Sequence, residues 1–363
     1  MPLRLSVPKE ALLEREAELE ALVALARQAA GGTGGVALVE GPAGIGKTAL
    51  LEHAVPLIRA EGTAVAVVRG GELERDLPWG VVRDLFEIVL GRFNPSEREA
   101  LFEGAAGLAR SALYGSPAPP AAGGEALASA LHGLYWLTAA VAEREPIVLV
   151  VDDAHWLDPS SLRFVGYLGA RVRDLPVAIV AAVRSGEPEA SGRVLRELGL
   201  HPWTTVLEPA PLGEEAAGEI VGVALGAATP ELARACHELT AGNPFYLREL
   251  LHDLQRTTPD AADAGAVAEL RPRTIAQMVQ QRLTGLPEGA LQLARAAALL
   301  GPRASVGTTA LLADLPIEDA TRASDALVAA DVLRPKLPLG FVHPLVRQVV
   351  YSDTPPAERS RLH

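Results

Sequence analysis

The sequence has almost no cysteine and no long apolar run. Cys236 is the only cysteine among 363 residues, so no disulfide can form within the chain, which fits a reducing compartment. No apolar stretch is long enough to span a bilayer, and the N-terminus contains no signal-like apolar segment. These absences predict a soluble protein of the cytoplasm that has no membrane partner.

Positive charge is also in short supply. The formal net charge is −12, with 33 Lys and Arg against 45 Asp and Glu. Because nucleic acid phosphates require a positive protein surface, the chain as a whole is not expected to bind nucleic acid. Hydrophobic residues make up 49% of the chain and charged residues 21%, which favours packed domains over disorder. The length allows two or three such domains.

Five short apolar runs occur within residues 1–210. Each is rich in Val or other β-branched residues and shows no clear alternation, which is typical of strands buried on both faces of a parallel sheet. Helical segments separate them, so we predict an α/β domain over 1–210 with a parallel five-stranded sheet. The Pro- and Gly-rich segment 114–125 is predicted to be a surface loop. The predicted strands are VALVE (36–40), AVAVVRG (64–70), IVLVVDD (147–153), VAIVAAVR (177–184) and TTVLE (204–208).

Helical patterns replace the strands after about residue 210. Amphipathic segments with acidic first turns predict a helical domain over 211–265, with a polar, Ala-rich linker at 257–270. From 272 onwards, helices are followed by DVLRPKLPLGFVH, which resembles a short β-hairpin, and then by a last helix. This order predicts a winged-helix domain over 266–363 that includes the start of a further helical segment. The final PPAERSRLH opens a helix without a stop signal, as expected of a chain cut at a domain boundary or of a natural frayed end.

The segment GPAGIGKT matches the pattern G-x-x-x-x-G-K-[ST] between a predicted strand and a predicted helix. Glycines let backbone N–H groups wrap a phosphate, and the N-terminus of the next helix faces the same group. Lys47 is expected to place its charge on the β- and γ-phosphates, and Thr48 to offer a hydroxyl ligand to Mg²⁺. The flanking elements disfavour the alternative, a Gly-rich turn without a ligand. The predicted loop residues are Gly41, Pro42, Ala43, Gly44, Ile45, Gly46, Lys47, Thr48 and Ala49.

The predicted strand at 147–153 ends in two carboxylates. Asp152 is expected to hold the Mg²⁺ shell and Asp153 to polarise the attacking water; an Asp-rich turn is the alternative. Motor ATPases of the AAA+ group usually carry Glu at the position of Asp153. Because Asp is one methylene shorter, we expect slow hydrolysis, which suits a switch better than a motor. Arg184 ends the neighbouring strand and is expected to sense the γ-phosphate, unless it is only a surface residue.

Several motifs in series resemble the ATPase module of the STAND branch of P-loop NTPases. More closely, the chain resembles the N-terminal part of the large ATP-binding regulators of the LuxR family. The phosphate loop alone indicates only an NTPase, whereas the later motifs are more specific. The segments that carry the resemblance are LLEREAELEALVAL (12–25), VRGGELERDLPWGVVRDLFE (68–87), VLVVDDAHWLDPSSLRFVGYL (148–168), LTAGNPFYLRELL (239–251) and LGFVHPLVRQVVYSDTPPAERSRLH (339–363).

The resemblance implies roles for three further residues. Arg15 would lie near the adenine, mostly through backbone contacts, although Glu14 stands where the family usually has glycine; the alternative is an amphipathic first helix. Pro244 would mark where the helical domain touches the nucleotide, or simply the first turn of a helix after an Asn cap. His343 resembles a winged-helix histidine that contacts ADP phosphate in related switches, and a structural histidine is the alternative.

The resemblance implies a regulatory switch that binds ATP or ADP, hydrolyses ATP slowly with Mg²⁺ and serves a signal-responsive transcription regulator. The implied partners are a small-molecule or protein inducer, further copies of the chain on activation, and DNA only through a downstream domain absent from this chain. Three alternatives stay open: an ATP-driven AAA+ enzyme or motor, the ATPase module of another signalling protein such as a cyclase, and direct DNA binding through the winged helix. For the last, residues 271–351 hold nine Lys and Arg against six Asp and Glu, a weak basic bias.

Overall fold

The structure is a computed structural model that describes most of the chain, and the chain divides into two compact units. One unit is Glu14–Pro209, and the other contains the chain from Ala210 onwards. The domain boundary predicted at 265 and most of the predicted loop at 114–125 lie outside the described residues. These described residues are 12–71, 75–115, 124–185, 189–226, 229–257, 267, 273–301, 304–330, 332–334, 337–355 and 358–359.

The N-terminal unit contains a five-stranded sheet in which every pairing is parallel. The strand order is β2-β3-β4-β1-β5, and this confirms the predicted parallel five-stranded sheet. All six residues of β3 are buried, as expected of a strand that is covered on both faces. The strands are β1 Gly35–Gly41, β2 Ala64–Arg69, β3 Ile147–Asp152, β4 Val177–Arg184 and β5 Thr204–Leu207.

Eight α-helices of the described chain accompany this sheet. The largest apolar core of the unit joins alternate strand residues, such as Leu149 and Val151 of β3, to the buried faces of α3, α6 and α7. Helix α1 packs against β1 and β4. The helices are α1 Glu16–Ala30, α2 Lys47–Ala60, α3 Gly80–Leu90, α4 Pro95–Leu101, α5 Arg110–Tyr114, α6 Gly124–Ala142, α7 Pro159–Gly169 and α8 Glu189–Gly199.

The C-terminal unit is helical, and its described residues form two apolar cores. The first core joins α9, α10 and α11 and includes the lone cysteine, Cys236, which is fully buried. The second core joins the remaining helices and the segment around Leu333 and Phe341. The helices are α9 Glu214–Leu225, α10 Pro230–Thr240, α11 Pro244–Thr257, α12 Arg273–Leu283, α13 Ala290–Leu300, α14 Val306–Ala313, α15 Ile317–Ala329 and α16 Pro344–Asp353.

An antiparallel bridge links Leu333 to Phe341 where the sequence predicts a short hairpin. The Val342 N–H donates to the Val332 carbonyl at 3.1 Å, and the Arg334 N–H donates to the Gly340 carbonyl at 2.7 Å. The bridge lies between α15 and α16, which is the order that motivates the winged-helix prediction. Among the described residues, no helix has the length and apolar character needed to cross a bilayer.

Candidate functional site

The predicted phosphate loop joins β1 to α2 at the carboxyl edge of the sheet. Gly44 and Gly46 have φ angles of 79° and 103°, a left-handed conformation that favours glycine. Gly46 is also the N-terminal cap of α2, so the loop leads directly into the first turn of that helix. Backbone N–H groups at a helix N-terminus are free of intrahelical partners and attract anions. The local geometry therefore suits a phosphate.

Lys47 turns back over this loop. Its side chain is buried, and Nζ donates to the carbonyl oxygens of Gly41 at 2.7 Å and Pro42 at 3.0 Å. These bonds keep the ammonium group at the loop, next to the glycines that shape it. Lys47 is therefore placed to bind a phosphate bound in the loop, and its predicted role stays a prediction.

Thr48 and Asp152 meet although 104 positions separate them in the chain. The Thr48 hydroxyl, in the first turn of α2, donates to Asp152 Oδ2 at 2.9 Å, at the end of β3. A hydroxyl and a carboxylate are hard oxygen ligands of the kind that Mg²⁺ prefers, with phosphates and water completing the shell. The described residues contain no cluster of three or more His, Cys, Asp or Glu side chains able to hold a metal by themselves. The pair therefore fits a Mg²⁺ that is shared with a nucleotide.

Asp153 follows Asp152 in an unusual backbone conformation. Its φ and ψ are 51° and 45°, in the left-handed region. Asp is one of the few residue types other than glycine that adopt this conformation. Its N–H donates to Asp152 Oδ1 at 3.0 Å. Burial and then the neighbouring Asp152 charge raise the pKa of the Asp153 carboxyl, while Arg69, Lys47 and Arg184 oppose the rise. Backbone strain and a raised pKa are both typical of functional carboxylates.

Arg184 ends β4 and lies opposite Gly41 in the parallel register with β1. Since β4 also pairs with β3, Arg184 is at the same sheet edge as the phosphate loop and the two aspartates. The prediction that it senses the γ-phosphate stays a prediction.

His155 is a site residue that the sequence analysis did not single out. It lies in the 3₁₀ turn after Asp153 and is almost fully buried. Burial, together with the positive charges of Arg184 and Lys47, lowers its pKa to about 4. The imidazole is therefore neutral at physiological pH and adds no positive charge to the site.

Arg69 is the second residue that the sequence analysis missed. It ends β2, and the parallel register places it directly opposite Asp152. Its guanidinium donates to Asp152 Oδ2 from Nε at 3.1 Å and from Nη2 at 2.7 Å, and Nη2 also donates to the Thr48 hydroxyl at 3.0 Å. The Nε atom lies 3.4 Å from Asp153 Oδ2. The sequence does contain one signal for Arg69: it is a basic residue near the end of the predicted strand at 64–70.

Arg15 contacts the phosphate loop from the N-terminal side. Its side chain is buried, and Nη2 donates to the Ile45 carbonyl at 3.3 Å, while Nη1 donates to the Glu14 carbonyl at 2.7 Å. Glu14 adopts the left-handed φ of 55° that a glycine would take without strain. The turn is therefore kept despite the Glu, and Arg15 lies beside the loop, where its predicted place near the adenine stays a prediction.

Pro244 and His343 belong to the C-terminal unit. Pro244 is the first residue of α11, and the Asn243 Oδ1 atom accepts the N–H groups of Phe245 at 3.1 Å and Tyr246 at 3.4 Å. This is the helix start after an Asn cap that the sequence analysis offered as the alternative. The prediction that Pro244 touches the nucleotide stays a prediction.

His343 uses both ring nitrogens inside the C-terminal unit. Nδ1 accepts the Leu345 N–H at 3.2 Å and so caps α16, which leaves Nε2 to donate to the Thr240 carbonyl. The ring is buried, and burial lowers its pKa to about 4. These contacts support the structural alternative for His343, and its predicted contact with ADP phosphate stays a prediction.

The pKa of His343 in the folded protein lies below the unfolded value of 6.5. The unfolded chain therefore binds more protons than the folded protein does as pH falls from about 6.5 to 4. The stabilising contribution of the neutral ring is present above pH 6.5 and is lost through that window. We expect the opening free energy of α16 to drop by about 2 kcal/mol from pH 7 to pH 5. Hydrogen exchange of α16 amides, corrected for intrinsic rates, measures it. The drop should disappear in His343→Gln; an equal drop there would contradict this assignment.

Comparison with known proteins agrees with this geometry. Residues 11–180 match the family described as an AAA ATPase domain. An uncharacterized protein of Rhizobium meliloti (strain 1021) is 27% identical over 393 aligned positions, which cover 97% of this chain and 36% of that protein. The chain thus spans about a third of the length of this curated relative.

Two solved structures have a similar fold. A Walker-type ATPase of Pyrococcus abyssi aligns with a TM-score of 0.61 at 14% identity, over 96% of this chain and 99% of that one. The ORC1 protein of Aeropyrum pernix, solved in complex with DNA, aligns with a TM-score of 0.51 at 18% identity, over 99% and 97%. At these identities the likeness concerns the fold alone. The family match, the parallel sheet and the phosphate loop together support a P-loop ATPase module within the N-terminal unit.

Proposed function

We propose that this chain is a regulatory switch module that binds ATP or ADP and hydrolyses ATP slowly with Mg²⁺. The observation that carries the proposal is the hydrogen bond between Thr48 and Asp152 at the mouth of the phosphate loop. It joins the two oxygen donors that a nucleotide-bound Mg²⁺ needs at the place where the loop would hold the phosphates.

Each part of the loop has a distinct task in this proposal. The backbone N–H groups from Ala43 to Ala49 bind the phosphate oxygens, and Lys47 adds a positive charge to the β- and γ-phosphates. Thr48 and Asp152 would hold Mg²⁺, and the metal would neutralise charge that develops on the phosphates. Arg15 lies against the loop from outside and steadies the turn at Ile45.

Hydrolysis is proposed to depend on Asp153. Its carboxylate accepts a proton from water as the water oxygen bonds to the γ-phosphorus and the bond to the bridging oxygen breaks, which yields ADP and phosphate. A slow step is expected because Asp is shorter than Glu and reaches the attacking water less easily. Arg184 at the same sheet edge is proposed to report the presence of the γ-phosphate.

The C-terminal unit is proposed to act as the closing part of the switch. Its helices and hairpin are consistent with a helical domain and a winged helix, through which Pro244 and His343 would reach ADP in the resting state. Exchange of ADP for ATP, together with a small-molecule or protein inducer, would open the module and allow copies of the chain to associate. In a LuxR-type regulator, DNA would be contacted by a downstream domain. This assignment rests on the motif series at 239–251 and 339–363.

The nucleotide that co-purifies with the protein, followed by steady-state ATP turnover, tests the switch. Retained ADP and turnover far below one per second support it, since most ATP-driven enzymes turn over at about 1–1000 per second. An empty site with several turnovers per second, lost in Lys47→Ala, would favour an ATP-driven enzyme or motor instead.

Substitution of Asp153 tests the hydrolytic step separately. We expect Asp153→Asn to lower ATP turnover at least about tenfold, because general-base catalysis is typically worth more than that. Asn tolerates the left-handed conformation as Asp does, so the turn should survive. Asp153→Glu should raise turnover severalfold, because the longer side chain reaches the water more easily. ADP affinity serves as the control and should stay unchanged in both variants. Wild-type turnover in Asp153→Asn would remove Asp153 from the mechanism.

A further inference from the structure

Arg69 occupies the metal-facing side of the site through three hydrogen bonds. Two go to Asp152 Oδ2, at 3.1 and 2.7 Å, and the third goes to the Thr48 hydroxyl oxygen at 3.0 Å. These are the two oxygen atoms that are placed to ligate Mg²⁺, directly or through water. One guanidinium therefore contacts both donors of the metal site at once.

The contact is built into the fold. Arg69 and Asp152 are register partners in the parallel pair β2–β3, so their side chains leave the sheet edge side by side. Asp152 is buried, with 7% of its side chain exposed, whereas 58% of the Arg69 side chain is exposed. A buried carboxylate needs a compensating charge, while an exposed arginine can leave at a modest cost. The exposed Arg69 side chain can therefore move away, whereas the buried Asp152 carboxylate stays in place.

We infer that Arg69 is an internal cation that competes with Mg²⁺ for Asp152 and Thr48, and so sets how strongly the bound nucleotide depends on Mg²⁺. Two cations cannot share the same lone pairs, and like charges within a few ångströms repel. Arg69 must therefore release these oxygens before the metal can bind them. This inference rests on the proposed nucleotide-binding function and adds a positioning residue to it.

The structure also provides a place for the released arginine. A cavity of about 440 Å³ lies beside α2 and is lined by Arg69, Thr48, Asp152 and the exposed Glu52. Glu52 attracts Arg69 electrostatically in the present arrangement. Rotation of the long arginine side chain toward Glu52 or water frees Asp152 without movement of the backbone.

The inference has a consequence for the resting state. While Arg69 neutralises Asp152, the site can hold ADP without Mg²⁺, because the loop and Lys47 supply the main phosphate contacts. Binding of Mg²⁺ with ATP then requires displacement of Arg69. The metal-bound state is thus disfavoured by an amount that depends on the Arg69 contacts.

The test measures binding rather than turnover. Affinity for a fluorescent ADP analogue is titrated in EDTA and at rising free Mg²⁺, with the full chain. Arg69→Gln should lower the Mg²⁺ concentration for half-maximal effect by about three- to tenfold, as expected for loss of charge-assisted bonds from a partly exposed group. Arg69→Lys keeps the charge without the two-pronged donor geometry and should give a smaller decrease.

Arg59→Gln is the matched control, because Arg59 lines the same cavity but forms no hydrogen bond or ion pair with Asp152 or Thr48. It should leave the Mg²⁺ requirement unchanged. An unchanged requirement in Arg69→Gln would overturn the inference, and an increased one would show that Arg69 helps to hold the metal. The same titrations test the proposed function independently, since a lack of ADP binding both in EDTA and at saturating Mg²⁺, in the wild type and every variant, would refute nucleotide binding itself.

Loss of Arg69 leaves the buried Asp152 without its partner and can weaken the fold. The melting temperature in saturating ADP, measured with and without Mg²⁺, provides a second readout that does not require the variants to have equal starting stabilities. Mg²⁺ should raise the melting temperature of Arg69→Gln more than that of the wild type or Arg59→Gln, because the metal replaces the missing cation. An equal or smaller rise would count against competition.

Discussion

Replacement of Lys47 by Ala should weaken the binding of ADP by about 100-fold or more, because a charged donor to phosphate in a partly buried site is worth at least about 2–3 kcal/mol. Nζ donates to the loop carbonyls of Gly41 and Pro42, so its positive charge lies at the loop where the phosphates are expected. Isothermal titration calorimetry with ADP and Mg²⁺ measures the change.

The control for this prediction is Arg59→Ala, which removes an exposed positive charge from the same helix, α2. It should bind ADP like the wild type. Circular dichroism should show that Lys47→Ala keeps its helical content, so that weak binding cannot be attributed to unfolding. Affinity within about threefold of the wild type in Lys47→Ala would contradict the assignment of the phosphate loop.

Replacement of Gly242 by Ala should destabilise the C-terminal unit by about 3 kcal/mol. Gly242 has a φ of 70°, and an added Cβ would lie 2.2 Å from the Leu212 carbonyl oxygen. The Leu212 N–H also donates to the Gly242 carbonyl at 2.8 Å. Because the clashing atom belongs to backbone, relief requires the two segments to separate and this hydrogen bond to weaken.

Gly226→Ala provides a matched control for backbone strain. Its φ is 76°, but an added Cβ would meet no atom within 4 Å, so only the left-handed conformation is penalised, at about 1 kcal/mol. All four tryptophans, Trp79, Trp136, Trp156 and Trp203, lie in the N-terminal unit. In urea, circular dichroism should therefore report the loss in the C-terminal unit, while tryptophan fluorescence stays close to the wild type. Equal shifts for both variants would refute the clash.

The strands were predictable because their burial imposes a recognisable composition. The run at 147–153 is apolar without alternation, and the structure buries every residue of β3. Such a strand can lie only inside a sheet covered on both faces, which in turn requires parallel neighbours and crossover helices. The helices after residue 210 were predicted as a pattern, but the sequence does not say which of them share a core. The two cores of the C-terminal unit depend on packing between residues far apart in the chain.

The candidate site was predictable where its chemistry depends on the backbone. The spacing of Gly41, Gly46 and Lys47 encodes a loop that can be built from local conformations alone. The sequence did not identify Arg69 and His155, because their roles depend on residues that are distant in the chain but adjacent in the fold. Arg69 becomes part of the site only through the register of β2 with β3, and His155 through burial beside Arg184 and Lys47.

For His343, the sequence motif suggested a role but did not reveal a contact that depends on packing. The motif around His343 suggested that this residue binds phosphate. In the structure, Nδ1 caps α16 and Nε2 donates to the Thr240 carbonyl. Thr240 is 103 positions away, so this second partner has no signal in the local sequence. The resemblance and the packing point to different tasks for one side chain, and the pH prediction above tests the packing.

Local sequence was sufficient to predict the sheet strands, the phosphate loop and the two acidic residues at the end of β3. Each of these follows from local preference: β-branched apolar runs form buried strands, glycines allow left-handed turns, and carboxylates lie where a strand ends. Which charged side chains come into contact depends on tertiary structure. Strand register placed the Arg69 guanidinium on Asp152 and Thr48, and close packing at Leu212 made a glycine necessary at position 242. Register and packing arise from the whole arrangement of elements, because they depend on distances between residues that the chain order does not specify.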